Sequence, residues 1–328
     1  MVAVATSLLA VSCSKEAVQP SGDAIGFFLD MPTTRATIFE TPAGLQNPAI
    51  GGADFACYAY VAGNGSNGGK CHINNVRVNY FADAKDWRFT DPEGMYVHYY
   101  WPLGEKLHFF GHMPYKPADG AVTSVGYTHG KGPEFSYSLP LCSDDQDNLH
   151  EFIYAYTENQ DIETQNADVD NPGVKMVFMH PFAGIRFHLR QAYRMRIHSI
   201  TVSNLEYEGS YVYDGEWTHS TEKKTGDLFI YIEKDVPDPI NYDSPIGGTY
   251  LVAPQTLDDK VRMTITFTRL DGETETKSGK LSSAAGAWEA GKIYTYTVDL
   301  GKTEEEILFE VKVDKWDVHS YKNEITVE

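Results

Sequence analysis

A chain of 328 residues is too long for one comfortable core and about right for two domains, and it is large enough to fold without a metal or disulfide framework. The formal net charge of −19, from 46 acidic against 27 basic residues, opposes binding to nucleic acid or direct docking on anionic lipid. Aromatics make up 13% of the residues, with 21 Tyr, and no long segment carries an apolar stripe at helical spacing, so strands must dominate.

Residues 1–12, MVAVATSLLAVS, form an apolar run that ends at Cys13 and is followed by polar SKEAVQPSGD. The run is too short to span a bilayer and reads as the apolar part of a secretory signal. Ala10 and Ser12 before Cys13 resemble a bacterial lipobox, in which the signal is removed and the cysteine is acylated. The Ser14-Lys15-Glu16 that follows is similar to the surface-export signals of Bacteroides-type lipoproteins. No Lys or Arg precedes the run, a departure from the usual signal, and a buried strand is the alternative. Residues 1–23 are thus expected to be signal and polar spacer.

The first strand is expected at residues 24–29, AIGFFL, closed by Pro32. TTRATIF follows, where Arg35 is the sole arginine of the first 76 residues. Strand-like runs recur at 55–61, 71–81, 87–89, 95–101, 106–113, 135–139 and 150–157, with turns supplied by Pro102-Leu103-Gly104 and by residues 114–119. Residues 158–173, ENQDIETQNADVDNPG, are too poor in apolar side chains to be core and read as a linker or loop.

The stretch that organises the chain is 174–189, VKMVFMHPFAGIRFHL. Val174, Met176 and Phe178 alternate, as do the residues beyond Pro181, and proline cannot donate into a ladder, so two strands must meet at a kink. It is expected to hinge two β domains, residues 24–172 and 173–328. Beyond it, 198–207 alternates cleanly and 235–248 is an irregular, proline-rich loop. Residues 261–270 and 273–281 should pair across Asp271-Gly272, the strongest short hairpin signal in the chain. The runs 288–300 and 305–318 and a last segment, 322–328, close it. This texture of short strands with turns every ten or so residues predicts all-β sandwiches or barrels.

Few residues point to chemistry. His108 and His112 share one face of a strand, without an acidic residue nearby to complete a metal set. NGSNGGKC fails as a phosphate loop, since Asn64 stands where a glycine is required and Cys71 where Ser or Thr should hold magnesium. There is no GxSxG elbow and no carboxylate pair in a catalytic context. The sequence therefore predicts a binding or structural protein, not an enzyme, with no cofactor, no metal and no catalytic residue. Cys57 and Cys71 flank a glycine-rich turn, which allows a cross-strand disulfide between them; two buried thiols is the alternative.

Six stretches, TTRATIF, FACYAYV, YYWPLGEKLHFFGHMPY, VKMVFMHPFAGIRF, LVAPQTL and WEAGKIYTYTVDL, resemble in order and spacing the fimbrillin-like family of Bacteroidales lipoproteins. The resemblance implies two tandem transthyretin-like β-sandwiches and a fimbrial (pilus) subunit, exported as an outer-membrane lipoprotein through Cys13. It also implies trimming by an arginine-specific protease after an early strand, for which Arg35 is the candidate, and polymerisation with other fimbrial subunits by donor-strand exchange. Ile307, Phe309, Val311 and Val313 alternate as a donor strand should, and Ile325 and Val327 are the second candidate. The family also contains tip adhesins and anchors, so a surface protein that binds a glycan or host protein is the alternative.

Overall fold

Proline 181 divides the organising stretch as its chemistry requires. Val174–Val177 and Ala183–Gln191 are separate strands in separate sheets. The computed structural model describes residues 20–30, 44–50, 52–191, 194–213, 216–219, 224–236, 240–300, 307 and 309–316. Among them the protein is nearly all β, with helical pieces of only three to five residues. Cys13, Arg35, Ile325 and Val327 lie outside the described residues.

The first large sheet has seven strands, in the order Ile153–Gln160, Leu107–Met113, Asp54–Val61, Cys71–Phe81, Asp86–Thr90, Phe27–Asp30 and Val174–Val177. All its pairs are antiparallel except the last, where Phe27–Asp30 and Val174–Val177 run parallel over four residue pairs. Leu107–Met113 is buried at every position, which explains its nearly continuous apolar sequence. His112 lies in this run with no exposed surface. Burial pushes its pKa down to about 4, and it bonds the Pro114 carbonyl through Nδ1 at 3.0 Å.

The second half builds two four-stranded sheets. One runs Ile240–Val252, Ala183–Gln191, Lys292–Asp299, Phe309–Lys315, and the other Thr225–Val236, Met195–Glu206, Arg262–Arg269, Thr274–Lys280. The hairpin expected at Asp271-Gly272 is present, with Gly272 at φ +86°, a value a side chain would resist. Trp288 is buried, and its indole N–H donates to the Tyr296 hydroxyl at 2.8 Å, so the large ring enters the core with its polar group satisfied.

Apolar side chains gather in three clusters. One is drawn from residues 25–178 and one from 183–307, while a third mixes Phe110, Phe135 and Tyr154 with Phe182, Leu251 and Trp316. The expected division at residue 173 is therefore crossed in two ways. Val174–Val177 pairs into the first sheet, and a further sheet joins Val122–Thr128 and Gly132–Ser138 to Glu208–Val212 and Glu216–His219. That sheet is two hairpins, one from each half, joined by the antiparallel pairing of Gly132–Ser138 with Glu208–Val212.

Where the chain passes between the halves, Glu151 and His180 form a buried pair, Oε1 to Nδ1 at 2.5 Å, with side chains 0% and 2% exposed. The imidazole lies flat on Trp316, ring centres 4.5 Å apart and planes 9° apart. A carboxylate with no exposed surface is tolerated only with such a partner. Glu151→Ala should lower unfolding free energy by about 3–5 kcal/mol, the usual effect of removing one member of a buried pair. Joint replacement of Glu151 and His180 by Leu and Phe should cost clearly less, as measured by urea denaturation.

Candidate functional site

The side chains that do most with least exposure surround the N-terminal strand. Phe27, the first residue of Phe27–Asp30, makes edge contacts with Phe55, Phe89 and Phe109 at centroid distances of 5.4, 5.1 and 5.9 Å. Ile25 and Leu29 point to the same side, and all three are at most 7% exposed. Three apolar side chains at that depth stabilise the sheet by about 5–8 kcal/mol on area arguments, an upper figure because the unfolded chain also buries some surface.

The main chain of this segment changes partner every few residues. Ala24 pairs with Tyr100, the Ile25 amide donates to the Tyr99 carbonyl at 2.8 Å, Phe27 pairs with Trp87, and residues 27–30 run beside 174–177. At Ala24 and Gly26 a side chain completes the ladder. The Gly26 amide donates to Gln165 Oε1 at 2.9 Å, and Gln165 Nε2 donates to the Ala24 carbonyl at 3.2 Å. Trp101 Nε1, also buried, donates to the same Gln165 oxygen at 3.2 Å. One carboxamide thus replaces the peptide group of a neighbouring strand.

Gln165 can do this because residues 161–173, read as linker from the sequence, are built around it. Asp161 caps the short helix Ile162–Gln165, accepting from the Thr164 amide at 2.8 Å, while the Thr164 hydroxyl accepts from the Asp161 amide. A hydrogen bond from Lys106 and that cap hold the Asp161 carboxyl below the usual range. Gln165 then points inward and is 8% exposed. Gly173 returns the chain to the sheet at φ +143°, and a Cβ there would stand 2.6 Å from the Phe27 carbonyl carbon, so only glycine lets the two segments approach. The D-x-x-T spacing and the Asn-Pro-Gly triplet were the available signals.

Beside this strand lies an open cleft of about 460 Å³, between the Ala24–Phe27 main chain and the side chains of Asp86, Arg88, Tyr96 and His98. Arg88 donates twice to Asp86 Oδ2, at 2.9 and 2.7 Å, and its guanidinium lies between the rings of Phe81 and Tyr96. Tyr96, His98 and Tyr100 form an exposed row, since Val97 and Tyr99 between them turn toward the core.

The other residues singled out by sequence are not brought to this site. Cys57 is opposite Val76 and Cys71 is opposite Tyr60, so the two do not face each other and no bridge joins them. Bulges between Cys57 and Tyr60 shift the register that the sequence had left to be guessed. Burial pushes the Cys57 thiol well up, which keeps it protonated and unreactive. Phe309, Val311 and Val313 lie on Phe309–Lys315, the edge strand of its own sheet, while Ile307 precedes that strand and donates its amide to the Ser278 carbonyl of the other sheet at 2.9 Å. Phe309–Lys315 pairs with Lys292–Asp299, Ile307 is 3% exposed, Phe309 and Val311 pack on the second cluster, and Val313 is 46% exposed.

A similar architecture is found in solved structures of Bacteroides proteins. A fimbrial protein from Bacteroides vulgatus is similar at a TM-score of 0.61 and 16% identity, over 89% of this chain and 99% of that one. Two proteins assigned to cell adhesion, from Bacteroides ovatus and Bacteroides uniformis, give TM-scores of 0.56 and 0.51 at 16% and 19% identity. They cover 93% and 91% of this chain, and all of each of those. No curated protein sequence matches the chain. The family model for fimbrillin-like proteins matches residues 34–316, and the chain belongs to that family.

Gln165→Ala leaves the Gly26 amide, the Ala24 carbonyl and the Trp101 indole without their partner. At about 1–3 kcal/mol per buried group left unsatisfied, partly relieved by water, stability should fall by about 2–4 kcal/mol. Hydrogen exchange at the Gly26 amide should rise more than exchange in the Leu107–Met113 strand, and uniform loss across the sheet would contradict this role.

Proposed function

We propose that the protein is a subunit of a cell-surface fimbria whose N-terminal strand is a removable filler. The observation that carries this is the position of Phe27–Asp30, a short strand lying between Asp86–Thr90 and Val174–Val177 and supplying Phe27 and Leu29 to the core. Arg35 follows it closely in sequence, so hydrolysis there would cut the covalent link between this strand and the rest of the sheet. Loss of the strand would uncover a groove edged by the amides of Val174 and Phe178, which now donate to the Gly26 and Asp30 carbonyls at 2.8 and 2.9 Å. Such a groove takes an extended strand by main-chain bonds, with alternate side chains fixing register.

In this reading Cys13 is acylated and holds the newly exported chain at the outer membrane, and cleavage after Arg35 releases anchor and strand together. Two sandwiches form around the first two apolar clusters, with the third joining them. Of the donor candidates, residues after Trp316, including Ile325 and Val327, are favoured. Residues 309–313 would have to leave a sheet that already uses them, and Trp316 is fully buried and anchors that strand. The second reading, a tip adhesin for a glycan or host protein, draws on the exposed row Tyr96, His98 and Tyr100, since such rings stack on sugar faces or fill partner pockets.

Limited digestion with an arginine-specific protease distinguishes them. Wild-type protein should lose residues 1–35 and form ladders that resist SDS, Arg35→Ala should remain monomeric, and truncation after Val318 should cleave but not polymerise. A wild-type protein that stays monomeric after clean cleavage at Arg35 would sink strand exchange and favour the adhesin.

A further inference from the structure

The open cleft of about 460 Å³ beside Ala24–Phe27 holds polar groups that the fold orients and leaves without a partner. Arg88 donates from Nε and Nη2 to Asp86 Oδ2, and its guanidinium lies 5.4 and 5.0 Å from the ring centres of Phe81 and Tyr96. These contacts fix its plane, while Nη1 has no hydrogen-bond partner among the described residues. The Tyr96 hydroxyl and His98 Nδ1 share a bond of 3.1 Å, which leaves Nε2 of this exposed imidazole unbonded among the described residues. Gly26 lines the same cleft, and a Cβ placed there meets nothing within 4 Å, so the chain passes along the cleft without filling it. From His98 the row of rings continues outward to Tyr100, the two planes 22° apart and their centres 5.8 Å apart.

Three classes of ligand fit these groups poorly. An extended peptide needs open ladder positions, yet the main chain beside the cleft is already paired. The Ile25 amide donates to the Tyr99 carbonyl, the Gly26 amide to Gln165, and the Gly26 carbonyl accepts from the Val174 amide. A small ion gains little where Arg88 and Asp86 neutralise each other, and the formal net charge of −19 opposes an anion further. A flat apolar molecule needs an enclosed pocket, and this cleft opens to solvent. A neutral molecule with many hydroxyl acceptors and an apolar C–H face fits all of these groups, and a pyranose is such a molecule. We infer that the cleft binds a neutral oligosaccharide, with Arg88 Nη1 and His98 Nε2 donating to hydroxyls of one sugar and the exposed ring of Tyr96 against its C–H face. His98 and Tyr100 extend the platform to a second sugar. This inference rests on the adhesin reading and supplies its ligand class and its site. One wall is the Ala24–Phe27 main chain, so the site belongs to protein whose N-terminal strand is in place, and it stands whether or not that strand is later exchanged.

The test uses uncleaved full-length protein on an array of neutral mannan, glucan, xylan and galactan fragments, with sialylated and sulfated glycans and an extended neutral peptide beside them. Wild-type protein should bind a subset of the neutral fragments, and titration calorimetry with the best of them gives its Kd. Gly26→Leu puts a side chain into the cleft without removing a donor or a ring, and it should raise that Kd by roughly tenfold or more. His98→Ala, and Arg88→Lys, which keeps the charge beside Asp86 but loses Nη1, should each weaken binding by a similar factor with the melting temperature unchanged. Equal affinity of wild type and the Gly26→Leu and His98→Ala variants overturns the cleft as the site and leaves an adhesin with some other binding surface standing. Preference for the sialylated or sulfated glycans, or for the peptide, overturns the neutral saccharide as ligand. If wild-type protein binds no member of the array, the inference fails. The adhesin reading fails with it only if the same protein also shows no binding to host cells stripped of their glycans.

Discussion

The arrangement depends on one carboxamide. Gln165 takes the place of a neighbouring strand at the point where the N-terminal segment has none, and it does so with both its donor and its acceptor satisfied. Without it, the Ala24 carbonyl and the Gly26 amide would lose their partner in a half-buried site beside the open cleft, at about 1–3 kcal/mol for each group less what water restores. The pairing of Phe27–Asp30 with Val174–Val177 can then be short, because the residues leading into it are already held. Gly173 permits the approach, and the Asp161 cap sets the helix turn that aims Gln165.

That way of holding a strand suits the removable filler proposed above. A strand fully laddered on both sides would resist removal, whereas this one has a four-residue parallel ladder on one side and a single residue pair, Phe27 with Trp87, on the other. Its side chains still close the core. The result is a complete sheet in which this strand has a single residue pair on one side, as the proposed release after Arg35 would require. The buried Glu151 and His180 pair, with Trp316 stacked on it, has the opposite character. It ties residues of both halves into one packed region beside the end of the last described strand, and a segment continuing from there starts from a fixed point.

Much of this was legible in the sequence wherever period and punctuation agree. Alternation marked the strands, Pro181 marked the change of sheet, and Asp271-Gly272 marked a hairpin, because each is a local rule of backbone chemistry. What could not be read was non-local or carried by polar residues. Nothing in 122–138 announces pairing with 208–212, since strand partners far apart in sequence leave no local trace. The run containing Gln165 was discounted for want of apolar residues, yet a buried polar side chain with all its bonds made can matter to a core as much as a phenylalanine. Of the two readings left open for Cys57 and Cys71, the unbridged one holds, because the turn sets Cys71 opposite Tyr60 and Cys57 opposite Val76, an offset that alternation alone does not announce.

The central claim is that Gln165 holds the chain's own N-terminal strand, which the proposed cleavage after Arg35 would free for replacement. A photo-crosslinking amino acid in place of Tyr100, which pairs with Ala24 at the mouth of this site, reports on the occupant directly. In uncleaved monomer the crosslink should fall within residues 20–26 of the same chain. In the protease-generated polymer it should move to residues 305–328 of a different chain. Crosslinks that stay on residues 20–26 while polymer forms would contradict the account.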